Sequence, residues 1–101
     1  MARPVRWSFT AASDLEEICA YIGKDSPHYA SLFAERILAA TRRAGQFPQF
    51  GRIVPEYDDP AIREVIYQGY RVVYRLSGEA VEITQICHGA KPLREEYAGD
   101  R

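Results

Sequence analysis

Hydrophobic and polar residues alternate with the period of a β-strand through residues 63–92, REVIYQGYRVVYRLSGEAVEITQICHGAKP. Two short interruptions divide this segment into three predicted strands. Gln68-Gly69 and Gly78-Glu79 each fit the two-residue turn of a hairpin, in which glycine supplies the positive φ that the turn requires. The alternation therefore predicts three consecutive antiparallel strands.

These turns set the pairing and sort the side chains into two faces. Tyr67 should oppose Tyr70, Tyr70 should oppose Cys87, and Arg75 should oppose Glu82. One face is expected to pack on the core and the other to lie in water, which is usual for an antiparallel sheet. The predicted core face comprises Val65, Tyr70, Val72, Tyr74, Leu76, Ile83 and Cys87. The predicted accessible face comprises Glu64, Arg71, Val73, Arg75, Glu82, Thr84 and Ile86.

The N-terminal half predicts one strand, over residues 5–9, followed by two helices. Thr10 or Ser13 should cap the first helix, since Ser13 and Glu16 fit a capping box. Ser26-Pro27 should start the second helix, which extends to about residue 45. So short a turn between helices predicts an antiparallel helical hairpin. The apolar stripes are Leu15, Ile18, Cys19 and Ile22 on the first helix, and Ala30, Phe33, Ala34, Ile37, Leu38, Thr41 and Ala44 on the second.

The predicted fold class is α+β, in the order β-α-α-β-β-β. Residues 47–51 form a loop, residues 52–60 are irregular because of Pro55 and Pro60, and a helical turn is predicted at residues 94–97. The helical hairpin should pack on one face of a small antiparallel sheet, within a single domain that spans residues 1–101. No segment is apolar enough to span a membrane or to act as a signal peptide, so we expect a cytoplasmic protein.

Charge and cysteine usage narrow the possible chemistry. The chain contains 13 Lys and Arg residues and 14 Asp and Glu residues, which gives a net charge of −1. Proteins that bind nucleic acid through its phosphates usually carry a strong positive excess. Cys19 and Cys87 should be buried free thiols. His28 and His88 lie far apart, without the spacing of a metal site, so we expect no metal or cofactor.

Two arginines of the predicted accessible face are candidate binding residues. Arg71 and Arg75 share that face and could bind a phosphate or a carboxylate. They could instead pair across strands, Arg75 with Glu82 and Arg71 diagonally with Glu64. Pairing is favoured for Arg75, whose partner is directly opposite, and both interpretations stay open for Arg71.

Three further residues have both a chemical and a structural interpretation. His88 could act as an acid or base near neutral pH, but it also suits a polar strand end before a glycine turn, which we favour. Tyr97, in the C-terminal tail, could exchange a proton, although packing is the commoner role. Arg52 could contact a partner or pair with a carboxylate such as Glu56.

The order and spacing of these segments resemble the toxins of the RelE/ParE superfamily, the toxic halves of bacterial toxin–antitoxin pairs. The resemblance covers nearly the whole chain. It includes TAASDLEEI at 10–18, FPQFGR at 47–52, IRE at 62–64, GYRVVYR at 69–75 and ICHG at 86–89. It implies an α+β fold and an antitoxin whose C-terminal segment wraps the toxin in a hetero-oligomeric complex.

The resemblance implies two alternative targets. RelE-like members cleave mRNA on the ribosome, and Arg71 matches their phosphate-binding sheet arginine, while Lys91 and Tyr97 lie near their second basic residue and tail tyrosine. ParE-like members poison DNA gyrase and show no established nuclease activity. The basic cluster of the nucleases is reduced here to Arg63, which has Glu64 beside it, so the chain is closer to the ParE branch.

We therefore expect a ParE-like gyrase inhibitor that is neutralised by an antitoxin. The first alternative is a RelE-like endoribonuclease that uses Arg71, Lys91 and Tyr97. The second alternative is a non-toxic relative that only binds its antitoxin. Whether the protein is an enzyme therefore stays open. The antitoxin is expected to cover the helical hairpin and the accessible sheet face. Trp7, Tyr21 and Tyr29 are expected to be exposed. The candidate contacts with antitoxin or target are Trp7, Tyr21, Tyr29, Arg52, Arg63, Arg71, Arg75 and His88.

Overall fold

The computed structural model describes residues 2–94, which form two helices and five strands. The strands lie in one sheet in the order β1-β5-β4-β3-β2, antiparallel except for the parallel pair of β1 and β5. The α+β class and the hairpin-on-sheet arrangement are confirmed, with β2 as an additional short strand. The elements are β1 Val5–Trp7, α1 Phe9–Gly23, α2 Pro27–Gln46, β2 Arg52–Ile53, β3 Ile62–Tyr67, β4 Tyr70–Ser77 and β5 Ala80–His88.

Helix α1 begins earlier than the sequence predicts. Ser8 is the N-cap, and its Oγ accepts a hydrogen bond from the amide of Ala11 at 2.9 Å. The same hydroxyl donates to the carbonyl of Thr84 in β5 at 3.0 Å. The prediction of a cap at Thr10 or Ser13 was therefore wrong, because a contact with a distant strand fixes the helix start.

Helix α2 begins as predicted and contributes much of the core. The Ser26 hydroxyl accepts from the amide of Tyr29 at 3.1 Å, and Pro27 occupies the first turn. Phe33 packs edge-on against Tyr70 at a centroid distance of 5.2 Å. Neither helix within residues 2–94 is long and apolar enough to cross a membrane. The buried core between helices and sheet comprises Ala11, Phe33, Ile37, Ala44, Val72, Tyr74, Val81, Ile83 and Ile86.

The register of the first predicted hairpin is confirmed, while that of the second holds over only part of its length. All six pairs between β3 and β4 are as predicted, and β4 pairs Arg75 with Glu82. Beyond this point a bulge between Val73 and Tyr74 shifts the register by one residue. Tyr70 therefore pairs with His88 rather than Cys87. The prediction was wrong there because a strict period of two cannot anticipate an inserted residue.

The face of the sheet opposite the helices is largely covered, so the prediction of an accessible face was wrong. The segment of residues 54–60 folds back over it and buries Val54, Ile62 and Val73 as a second apolar cluster. Glu64 and Arg71 are buried under the same segment. Ile86 is also buried, but on the helix side, because the bulge reverses its orientation relative to the prediction.

Candidate functional site

Four charged side chains form a continuous ion network on the second face of the sheet. Arg71 donates from Nε to Glu64 at 2.6 Å, and from its two terminal nitrogens to Glu56 at 2.6 and 2.7 Å. Arg52 in β2 donates to the other oxygen of Glu64, from Nε at 2.7 Å and Nη2 at 2.6 Å. The Glu64 side chain is fully buried. The order of the network is thus Glu56, Arg71, Glu64, Arg52.

The pairing of Arg71 with Glu56 favours the charged forms of these two side chains. Hydrogen bonds from Arg71 lower the pKa of Glu56 from 4.5 to about 2, despite partial burial. Hydrogen bonds to Glu56, and then to Glu64, raise the pKa of Arg71. Each of the three Arg71 nitrogens therefore has a carboxylate of the same chain as its partner. A phosphate could bind this guanidinium only by displacing Glu56. Of the two interpretations left open for Arg71, the diagonal pair with Glu64 is present, and Glu56 is an additional partner that the sequence did not indicate.

Arg52 and Arg75 differ in how well their pairing was predicted. Arg75 donates to Glu82 at 2.7 Å, which confirms the cross-strand pair. Both side chains are about a quarter exposed. Arg52 pairs with Glu64 rather than with Glu56, because β2 places it beside β3.

Arg63 and Tyr74 hold the loop that precedes β2. Arg63 donates from Nη1 to the carbonyl of Gly51 at 3.0 Å. The buried Tyr74 hydroxyl donates to the carbonyl of Pro48 and accepts from the amide of Gly51, both at 2.8 Å. A Cβ at position 51 would lie 2.7 Å from the Glu64 carbonyl oxygen, so only glycine fits. Arg63 thus stabilises the conformation of this loop.

A groove of about 450 Å³ lies between α1 and the end of β5, and it brings together three of the predicted residues. Tyr21, His88 and Lys91 line it together with Tyr70. The His88 ring packs edge-on against Tyr70 at 5.4 Å. His88 Nδ1 accepts a hydrogen bond from the amide of Ala90 at 3.2 Å. The other ring nitrogen, Nε2, can therefore donate a hydrogen bond.

The groove combines aromatic walls with charged groups of both signs, since Asp14 and Glu17 line it as well as Lys91 and Arg94. Tyr21 is 69% exposed, as expected. Lys91 is exposed and forms no ion pair with any residue in the range 2–94. Such a surface can accept a carboxylate next to an aliphatic or aromatic side chain.

Asp14 supports the groove and was missed by the sequence analysis. This buried side chain accepts from the amide of Ile86 at 2.9 Å and from the guanidinium of Arg94 at 3.0 and 3.1 Å. It therefore ties the segment after β5 to α1. A signal was present, because Asp14 occurs at helical spacing between Ala11 and Ile18, as a charged residue in an apolar stripe.

The remaining candidates lie elsewhere. Trp7 is partly buried against the core, so the expectation that it is exposed was wrong. Tyr29 is exposed on α2. Tyr97 and most of the predicted helical turn at 94–97 lie outside the described residues.

The two cysteines are free and partly buried, and burial raises the pKa of both thiols. Across residues 2–94, no three side chains of His, Cys, Asp or Glu converge into a group that could hold a metal ion.

This architecture is that of the RelE/ParE toxins. The structure is similar to that from the chromosomal ParDE toxin–antitoxin system of P. aeruginosa, with a TM-score of 0.70 and 21% identity over 86% of this chain and 96% of that one. It is also similar to a chain of the toxin–antitoxin complex RelBE2 of Mycobacterium tuberculosis, with a TM-score of 0.55 and 20% identity over 87% and 99% of the two chains.

Sequence comparison gives the family. The model for the ParE toxin of the type II toxin–antitoxin system parDE matches residues 5–93. Toxin RelE2 of Caulobacter vibrioides is 32% identical over 88 residues, which cover 86% of this chain and 96% of that toxin. The chain belongs to the ParE toxin family of type II toxin–antitoxin systems, within the RelE/ParE superfamily.

Proposed function

We propose that this toxin acts by binding a protein target, DNA gyrase, and that it does not cleave RNA. The state of Arg71 is the observation that carries the proposal. This residue occupies the position of the phosphate-binding arginine of the nuclease branch, yet its guanidinium is buried and engaged by Glu56 and Glu64. A phosphate would have to replace a bidentate carboxylate, which is among the strongest pairings that arginine makes.

The location of Lys91 also supports a protein target. It lines the groove beside α1, whereas Arg71 lines a separate depression with Arg52 and Glu56. Metal-free RNA cleavage needs groups that act together on one phosphate and its neighbouring hydroxyl. The two basic candidates do not share a depression, and the net charge of −1 does not favour docking onto ribosomal RNA.

A gyrase assay tests the target directly. Purified toxin is titrated into a DNA supercoiling reaction, and toxin saturated with its antitoxin serves as the matched control. We expect free toxin to inhibit supercoiling and the saturated toxin to leave it unchanged. Full supercoiling activity at a high excess of free toxin would refute the gyrase assignment.

A second assay addresses the ribosome. Transcripts from a translating extract are mapped by primer extension after toxin is added. We expect them to remain intact. New 5′ ends that require the ribosome would establish the nuclease alternative instead. Expression without growth arrest would point to a non-toxic relative that only binds its antitoxin.

We further propose that the antitoxin docks in the groove of Tyr21, Tyr70, His88 and Lys91. The sequence led us to expect antitoxin contacts on both the helical hairpin and the sheet face. The groove keeps α1 of the hairpin, whereas the sheet face is left out because residues 54–60 of the toxin itself cover most of it. The groove offers apolar walls and a lysine that pairs with no residue in the range 2–94. A disordered segment with acidic and apolar residues would fold onto such a surface.

A further inference from the structure

The loop between α2 and β2 displays two large aromatic side chains to solvent. Phe47 is 60% exposed and Phe50 is 43% exposed. A depression of about 680 Å³ lies beside them, with Arg3, Leu76 and the β4–β5 turn on its other side. Two neighbouring phenylalanines exposed together form an apolar patch that soluble proteins usually keep for an interaction.

This loop is held rigidly in its displayed conformation. The amide of Phe47 donates to the carbonyl of Arg43 at 2.8 Å, and the amide of Phe50 donates to the carbonyl of Phe47 at 2.7 Å. The buried Tyr74 hydroxyl also holds the loop, because it donates a hydrogen bond to the carbonyl of Pro48 and accepts one from the amide of Gly51. The rings are thus presented by a preorganised loop, which lowers the entropy that binding would cost.

Arg43 adds a positive charge beside the two rings. Its guanidinium carbon lies 4.9 Å from the centre of the Phe50 ring and 6.0 Å from that of Phe47. Arg43 forms no ion pair with any residue in the range 2–94. Several other arginines do have a carboxylate of the same chain, namely Arg52, Arg71, Arg75 and Arg94. Because Arg43 is exposed beside the two rings, its guanidinium is accessible to a carboxylate of a partner.

We infer that Phe47, Phe50 and Arg43 form the surface that docks the toxin's protein target. We call these three residues the aromatic surface. The structure favours a folded partner with an apolar pocket beside a carboxylate, because projecting rings insert into pockets and arginine with aromatic residues dominates binding hot spots. The inference rests on the proposed function, namely action through protein–protein binding.

The aromatic surface is separate from the groove proposed for the antitoxin. Its depression includes Gly78 in the β4–β5 turn, whereas the groove includes Tyr70 and His88 at the far end of the same hairpin. Strand β4 runs from Tyr70 to Ser77, which places the two about 20 Å apart. Substitutions at one surface should therefore leave the other intact.

A double variant, Phe47→Ser with Phe50→Ser, tests the inference. Growth arrest on expression, antitoxin affinity and gyrase inhibition are compared with those of the native toxin and of Phe9→Ser. Phe9 is 89% exposed at the start of α1, so its replacement removes an exposed ring without touching the aromatic surface. We expect the double variant to lose growth arrest and at least tenfold in gyrase inhibition, with an antitoxin Kd within threefold of native. Arg43→Gln should weaken inhibition severalfold, and Phe9→Ser should behave like the native toxin.

The possible outcomes separate this inference from the proposed function. Unchanged growth arrest by the double variant overturns the aromatic surface and leaves the gyrase proposal intact. Equal losses of antitoxin and target binding also overturn it, since they indicate a shared surface or a damaged fold. If the native toxin arrests growth without inhibiting gyrase, only the gyrase assignment is overturned. The growth arrest caused by the double variant, compared with that of the native toxin, then tests the aromatic surface. Native toxin that does not arrest growth overturns both.

Discussion

The carboxylate of Glu56 accepts two hydrogen bonds from the guanidinium of Arg71, at 2.6 and 2.7 Å, and this closes the segment of residues 54–60 over the sheet. On the other side of Arg71, Glu64 accepts a third hydrogen bond at 2.6 Å. The sheet arginine is consequently part of the structural framework. Its partners come from two different segments of the chain, so the pairing stabilises the tertiary arrangement as well as the charges.

Replacing Glu64 by Gln is expected to destabilise the fold strongly. The fully buried carboxylate lies between Arg52 and Arg71, and its loss leaves a buried guanidinium with Glu56 alone. Breaking a buried ion pair by removing one partner costs about 3 kcal/mol or more. Urea denaturation of the purified toxin measures this loss. The matched control is Glu82→Gln, which breaks a partly exposed pair with Arg75 and should cost about 1 kcal/mol or less. Equal losses in both variants would contradict the expected role of burial.

The contribution of Glu56 should depend on pH. Its pKa is about 2 in the folded protein against 4.5 ordinarily, so its stabilising effect is complete above about pH 4.5 and disappears as the pH falls towards 2. Because the side chain is 47% exposed, Glu56→Gln should cost only about 1 kcal/mol at pH 7. The difference from native toxin should shrink between pH 4.5 and 2 in denaturation experiments. A difference that stayed constant over this range would show that the carboxylate charge is not responsible.

Removing the hydroxyl of Tyr74 is expected to loosen the loop that carries Phe47 and Phe50. Tyr74→Phe leaves the carbonyl of Pro48 and the amide of Gly51 without their partner. An unsatisfied buried polar group costs about 1–3 kcal/mol, and the amide of Gly51 should exchange with deuterium faster. Tyr67→Phe is the control, since that hydroxyl makes no hydrogen bond within residues 2–94. Unchanged exchange at Gly51 would mean that the hydroxyl does not hold the loop.

Charge reversal at Lys91 should weaken antitoxin binding. Lys91 lines the proposed groove, so Lys91→Glu places a negative charge where an acidic segment is expected to dock. We expect the Kd measured by calorimetry to rise about tenfold, equivalent to about 1.4 kcal/mol, and the effect to diminish at high salt. Arg36→Glu on the exposed side of α2 changes the net charge equally and should have little effect. Comparable weakening by both variants would indicate long-range charge rather than contact at the groove.

The register of β3 with β4 could be predicted because it depends on local information. A two-residue turn at Gln68-Gly69 and the alternation on either side determine all six pairs, and Gly69 has the positive φ that the turn requires. The pairing of β4 with β5 was predicted only as far as Tyr74, where the bulge begins. The sequence around Val73 contains no turn residue that would indicate the extra residue of the bulge.

The candidate site was less predictable than the hairpins. The pair of Arg75 and Glu82 follows from register alone and is confirmed. The diagonal pair of Arg71 with Glu64 also follows from register, but the second partner of Arg71 does not, since Glu56 lies 15 residues away in an irregular segment. Proline content indicated that this segment is irregular, but not that it covers the sheet.

The sequence by itself determined the order of the two helices and of four of the five strands, the first hairpin and the resemblance to RelE/ParE toxins. These properties are carried by turn residues, by short-range periodicity and by the order of motifs along the chain. Only the tertiary structure decided that Arg71 is buried between Glu56 and Glu64 and that Phe47 and Phe50 remain exposed. Which group pairs with a charged side chain, and whether an apolar side chain is buried, depends on which distant segment of the chain packs against it. Local sequence patterns do not specify that packing.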